Sequence, residues 1–472
     1  MQQNRLPLTA CRLPVLVILT LLLAGSVYYY RERMLFADGA FMSFNLLNEG
    51  GWMIQEHRYG AFITQAVPVV AGWLHLPLPL LLLCYSASFQ LFYLLVGFLL
   101  LFRLRQPALA LLLVCYLTLL ASDVFFWPNN EVHQGVAWMF LSLGLLLQPQ
   151  IRSWVYYPAW VITAFLALFS HFLVALPFSF LLFYLLADGQ LHHWNRPRKG
   201  LLLGGFFLLF AGKYILGLQG WYDGPKLEGV HHFTLQSIPR ALQSGQLQSM
   251  LPRLFTNYWW VPLLLLSGLM TLVLLRKWKQ LLLTLFFTLL TVVLIATVYP
   301  DSFGRPLLFY MESEWMVLGI IASAPFVYEV LPCLKPVQVL LLLLLVGGTR
   351  MWAMQDAATL FSQRMKTIQS INRQLHQQGI HKALLVKDVP TAGLFLSDWG
   401  VPVESLLCSQ LQGHHPQVTF RLVEEHQKPV TGTDSFQTSF RTLHQRQLNS
   451  HYFQTDTTQV YRVLKLSDFM NH

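Results

Sequence analysis

Apolar runs long enough to enter a bilayer recur through the first 350 residues or so of this chain. A helix that crosses a membrane needs roughly 20 mostly apolar residues. Runs of about that kind lie near 13–30, 80–102, 107–122, 133–148, 153–169, 171–188, 200–218, 258–275, 280–299, 315–332 and 336–352, so the pattern predicts about eleven spans. Only 11% of the residues are charged, against about 25% in an ordinary soluble domain. That deficit excludes a soluble enzyme over most of the length. The expected fold is mainly α, a polytopic helical bundle over 1–352, followed by a small extramembrane α+β domain over 353–472.

The short connections sort by charge. Counted on alternate sides, one set holds Arg5, Arg12, Arg103, Arg105, Arg152, Arg196, Arg198, Lys199, Arg276, Lys277, Lys279 and Lys335 against a single acid, Asp188. Lys and Arg are retained on the cytoplasmic side during insertion. The expected location is thus a cell inner membrane, with the N-terminus cytoplasmic and the C-terminal domain periplasmic. The acidic, aromatic, His-bearing connections then face outward. The net charge of +10 reads as these topology determinants beside anionic headgroups. No basic stripe is interleaved with stacking aromatics, so no nucleic-acid partner is expected.

None of the cysteines, Cys11, Cys84, Cys115, Cys333 and Cys408, forms a CxxC pair, which predicts neither a disulfide nor a metal–thiolate site. The first apolar run lacks a small-x-small cleavage site and reads as an uncleaved first span. Met34–Leu47 and Phe62–Leu74 are expected as surface helices, the second kinked by Pro68. Ile238–Leu254 is expected as a third. In the tail, Gln355–Gln378 has helical periodicity, and Lys382–Val386, Val418–Val423 and Val460–Leu464 read as strands.

Candidate site residues sit at the outer mouths of the spans. Asp38 follows the first span, where partial desolvation raises a carboxylate pKa and suits a general base; the alternative is a helix N-cap. Arg58 closes the polar stretch Gln55–Arg58. Glu131 and His133 stand two apart and suit a phosphate-bearing group or a metal, or else a capped helix start with Asn129 or Asn130 as cap. His171 lies in a tight turn, as a site residue or a satisfied interfacial histidine. Arg253, Arg305 and Glu312 complete the set. A guanidinium fork matches phosphate oxygens, so Arg305 is a candidate clamp; the alternative is an ion pair with Asp301 or Glu312. His231–His232 reads as a solvated pair, and Lys213 as a snorkelling or interior-facing cation. No Walker loop, GxSxG or HExxH is present, which argues against ATP-driven transport and a soluble-type hydrolase.

This layout resembles the GT-C class of integral membrane glycosyltransferases. The likeness lies in one span, a long outer loop opening with the acid of Phe36-Ala37-Asp38-Gly39-Ala40, further spans with short turns, and a C-terminal soluble domain. The resemblance implies transfer of a sugar from a polyprenyl-phosphate carrier to a lipid or glycan acceptor. Asp38 takes the position of the catalytic acid, with Glu49 or Glu56 as a second one. The adjacent Asp-Glu or Asp-x-Asp of several subfamilies is missing here, so a divalent metal is left open and no other cofactor is implied. The implied chemistry is an inverting displacement: Asp38 orients or deprotonates the acceptor hydroxyl, and the polyprenyl phosphate leaves with its charge held by Arg305 and by Arg58 or Arg253. A transporter or flippase for a lipid-linked glycan, a polysaccharide polymerase or ligase, and a non-catalytic membrane scaffold are the competing readings.

Overall fold

A computed structural model of the chain describes residues 8–148, 156–192, 194–231, 234, 237–425 and 432–470. Arg5, Arg152 and His232 lie outside these. The chain is mainly helical, with a small sheet region near the C-terminus. Among the described residues, six helices are long and apolar enough to cross a membrane: Ala10–Tyr28, Leu78–Arg103, Arg196–Leu218, Trp278–Val298, Leu308–Cys333 and Pro336–Gln377. A seventh is gained if Gly245–Thr256 and Trp260–Leu274, bent by 79° at their junction, act as one span.

The expectation of about eleven spans is therefore corrected downward. Four of the expected runs become the helices Pro107–Thr118, Glu131–Leu146, Tyr156–Leu168 and Ala175–Ala187. At 1.5 Å per residue Pro107–Thr118, Glu131–Leu146 and Ala175–Ala187 reach only about 18–24 Å, short of a hydrocarbon core of about 30 Å. In Pro107–Thr118 the apolar character has another cause. Leu109, Ala110, Leu111, Leu112, Leu113 and Tyr116 are all buried against neighbouring helices. An apolar run records removal from water, and protein removes it as well as lipid does.

Burial separates centre from periphery. The helix Leu308–Cys333 is wrapped on all sides, with Trp315 fully buried. By contrast Arg196–Leu218 leaves Leu201, Phe207, Leu208 and Ile215 exposed, a face suited to lipid. The stretches expected as surface helices are helical over Asp38–Glu49 and Phe62–Trp73, the latter with Pro68 inside it, but most of the first is buried in the protein. The stretch 238–254 is broken into Ser237–Leu242 and Gly245–Thr256.

The helix Pro336–Gln377 carries straight through residue 352. Its 42 residues extend about 63 Å, roughly twice the hydrocarbon thickness. The far half leads into the C-terminal domain without a hinge. There β1 (Lys382–Val386) lies between β2 (Thr419–Val423) and β5 (Arg462–Lys465), parallel to both. The helix Val401–Leu411 lies between β1 and β2 in sequence, the kind of crossover that parallel pairing demands. A short antiparallel pair, β3 (Ser435–Gln437) and β4 (Thr442–His444), completes it.

Candidate functional site

Asp38 is the first residue of the helix Asp38–Glu49, directly after the first spanning helix and a short turn. Its side chain does not cap the helix; Ala37 occupies the cap position. One carboxylate oxygen accepts instead from Trp127 Nε1 at 2.6 Å. Asn129 Nδ2 donates to the Asp38 carbonyl at 3.0 Å. The residue is half-buried, so the carboxylate is partly desolvated. Burial pushes its pKa up to about 7, against the pull of the Trp127 hydrogen bond, with Glu131 raising it further and Arg58 and Lys226 lowering it.

A cluster of charges faces Asp38. Arg58 donates to Glu131 at 2.8 Å and to Asp223 at 2.6 Å. Lys213 reaches the second oxygen of Asp223 at 3.6 Å and donates to the Glu56 carbonyl at 2.9 Å. Lys226 stands apart: its ammonium lies 3.6 Å from the Tyr222 ring centroid and 5.6 Å from that of Tyr299. It makes no ion pair among the described residues. Burial and the nearby Arg58 bring its pKa down to about 8. Arg58 is already neutralised by two carboxylates, so Lys226 is the cation with charge to spare. It comes from the helix Asp223–His231, in a stretch read from sequence as loop.

The C-terminal domain holds the Asp38 helix along its length. Ala37 has φ 42°, a left-handed conformation costly for any residue but glycine. Its N–H donates to Glu404 Oε1 at 2.6 Å. Glu404 in turn pairs with buried Arg364, which also donates to the Phe395 carbonyl at 2.6 Å and the Leu35 carbonyl at 3.4 Å. Further along, Arg441 donates to Asn45 Oδ1 at 2.7 Å, and Asn449 donates to the Leu47 carbonyl at 2.8 Å. Two glycines permit this approach. A Cβ on Gly39 would lie 2.4 Å from the Arg33 carbonyl oxygen, and one on Gly400 would lie 2.9 Å from Ala37 Cα.

The sequence-predicted residues divide into three places. Asp38, Arg58 and Glu131 come together. Arg305 pairs with Asp123, not with Asp301 or Glu312, and Arg253 contributes to the same electrostatic neighbourhood. Glu312 is buried and accepts from Ser122 N at 3.1 Å, Val124 N at 2.7 Å and Tyr258 Oη. His133 is buried, with Nδ1 at 2.7 Å from Tyr116 Oη. His171 Nδ1 accepts from Leu173 N at 3.2 Å, capping a single turn. Asn130 caps the helix Glu131–Leu146, accepting from Val132 N at 2.9 Å. Among the described residues no group of three or more His, Cys, Asp or Glu side chains is arranged to hold a metal.

No protein-family model, curated protein or solved structure matches this chain. Three contributors escaped the sequence reading: Trp127, Lys226 and Glu404. The spacing Asp223–Lys226 places both on one helical face, a signal that was available. Glu404 lies 367 residues from Ala37, and nothing local announces that pairing.

Proposed function

We propose that the chain is a membrane glycosyltransferase that moves a sugar from a polyprenyl-phosphate carrier to a lipid or glycan acceptor. Asp38 takes the proton of the acceptor hydroxyl as that oxygen attacks the anomeric carbon. The bond from that carbon to the carrier phosphate breaks, and the phosphate departs with the electron pair. Lys226, backed by Arg58, receives its charge, so no strong general acid is needed. Metal dependence stays open in this scheme.

The observation that carries the reading is the half-buried Asp38 carboxylate, tuned near neutrality and accompanied by a lysine that makes no ion pair among the described residues. A base works best with a pKa near the working pH. The place favours lipid-linked chemistry too, since only the short helix Tyr30–Met34 and a few residues separate Asp38 from a spanning helix. The proposed location is a cell inner membrane, with the N-terminus cytoplasmic. The packing of the C-terminal domain on residues 37–49 supports placing that domain on the opposite, periplasmic side, with Asp38.

The test compares cells carrying wild-type protein, Asp38→Asn protein or none, scoring surface glycans and lipid-linked sugars. Asp38→Asn is expected to stay folded, accumulate lipid-linked sugar and lose transfer. Wild-type transfer by that variant would end the base assignment, and unchanged glycans on removal of the whole protein would end the reading itself.

A further inference from the structure

Arg33 follows the first spanning helix and is fully buried. Its Nε donates to Ser86 Oγ at 2.9 Å, one terminal nitrogen donates to the Phe125 carbonyl, and the guanidinium lies 4.4 Å from the Phe125 ring centroid. The other terminal nitrogen, Nη2, has no partner among the described residues. No described carboxylate pairs with it. The adjacent Glu32 is engaged elsewhere, accepting from Ser362 Oγ at 2.9 Å. A guanidinium does not shed its proton to escape burial.

Beside Arg33 is a cavity of about 20 Å³, lined also by Gln90, Tyr93, Pro128, His133 and Met316. Tyr93 Oη and Gln90 Oε1 likewise have no partner among the described residues. Unpaired polar atoms thus gather from separate helices around one space. One water needs about 10–15 Å³ measured this way. The cavity therefore has room for a water or a monatomic ion. A water would satisfy hydrogen bonds and leave the charge uncompensated. Buried charges persist when they are paired. The Tyr93 hydroxyl and Arg33 Nη2 are both donors, and the Gln90 amide can present its nitrogen by a flip.

We propose that Arg33, Tyr93 and Gln90 form a buried site for one small monovalent inorganic anion, chloride being the form at hand in cells. Pro128 is part of the wall and lies between Trp127 and Asn129, which both bond to Asp38. The ion would neutralise Arg33 and brace the loop behind Asp38. The proposal does not depend on the transferase reading, because it concerns binding alone.

The experiment uses the full-length protein in detergent. Thermal unfolding midpoints are measured in sodium chloride, bromide and gluconate at matched ionic strength. Chloride and bromide should raise the midpoint with concentration, as a ligand of the native state does, and gluconate should not. Arg33→Gln should abolish the halide response. Tyr93→Phe keeps the ring and should weaken apparent halide affinity about tenfold, the loss of one hydrogen bond to a charged acceptor. Should Arg33→Gln fail to fold, Tyr93→Phe and a bromide anomalous peak at the cavity decide the matter. Equal midpoints in chloride and gluconate, or an unchanged halide response in Tyr93→Phe, would overturn the site and leave a water in its place.

Discussion

Replacing Trp127 by Phe isolates the force that keeps Asp38 ionisable. The indole N–H donates to the carboxylate at 2.6 Å, and it opposes the burial that raises the pKa toward 7. Phe retains most of the ring, which packs edge-on against Tyr310 at 4.5 Å and Phe309 at 5.2 Å. A hydrogen bond to a charged group is worth about 1.5–3 kcal/mol. One pH unit corresponds to about 1.4 kcal/mol. Asp38 is half-buried, so water replaces part of the lost bond and the lower end applies. The midpoint of Asp38 should rise by about one pH unit, from about 7 to about 8. At pH 7 the ionised fraction then drops roughly fivefold, and transfer drops with it. Two measurements check this: the acidic limb of the transfer rate against pH, and the infrared carbonyl stretch of protonated Asp38, assigned by subtraction of Asp38→Asn. An acidic midpoint that stays put, or moves down, would refute the role given to Trp127. A moved infrared midpoint with an unmoved rate limb would separate the base from the chemistry.

Lys226→Gln should raise the donor concentration needed for half-maximal rate and remove an alkaline limb near pH 8, where the wild-type ammonium loses its proton; kinetics at pH 7 and pH 9 check both. Arg58→Met leaves Glu131 without its ion pair and Asp223 with Lys213 alone, and should cost about 3 kcal/mol of stability, the low end for a broken buried pair, read from the unfolding midpoint in detergent. Glu404→Ala releases the Ala37 N–H and the Arg364 pair, so kcat should fall with KM little changed. Glu404→Gln retains an acceptor for Ala37 and should recover part of that loss; equal kcat in both variants would deny Glu404 a positioning role.

The helical character and the outline of the site were legible because both rest on local pattern. A charged residue just beside a long apolar run marks the edge of the desolvated region, and Asp38 and Glu131 stand at such edges; Arg58 stands in a polar stretch inside the first loop. The three strands were found within a few residues because alternation and β-branching are local too. The number of spans was not legible, for a reason that Tyr116 and Leu111 make plain. Both are as apolar in setting as a lipid-facing residue, yet both face protein, and composition does not distinguish the two solvents. Only the length of the unbroken helix does.

The same limit explains the cations. Arg305 looked available because it was the lone base in an acidic loop, but its partner Asp123 lies 182 residues away. Lys226 carries no local signal of availability, yet the carboxylates around it are engaged by other side chains. Arg58 takes Glu131 and Asp223, and Gln246 donates to Glu314. Availability of a charge is a property of what its neighbours have already bound. That accounting becomes possible once the fold has paired them, and it is why the proposed function gives the carrier phosphate to the helix lysine and not to the loop arginine.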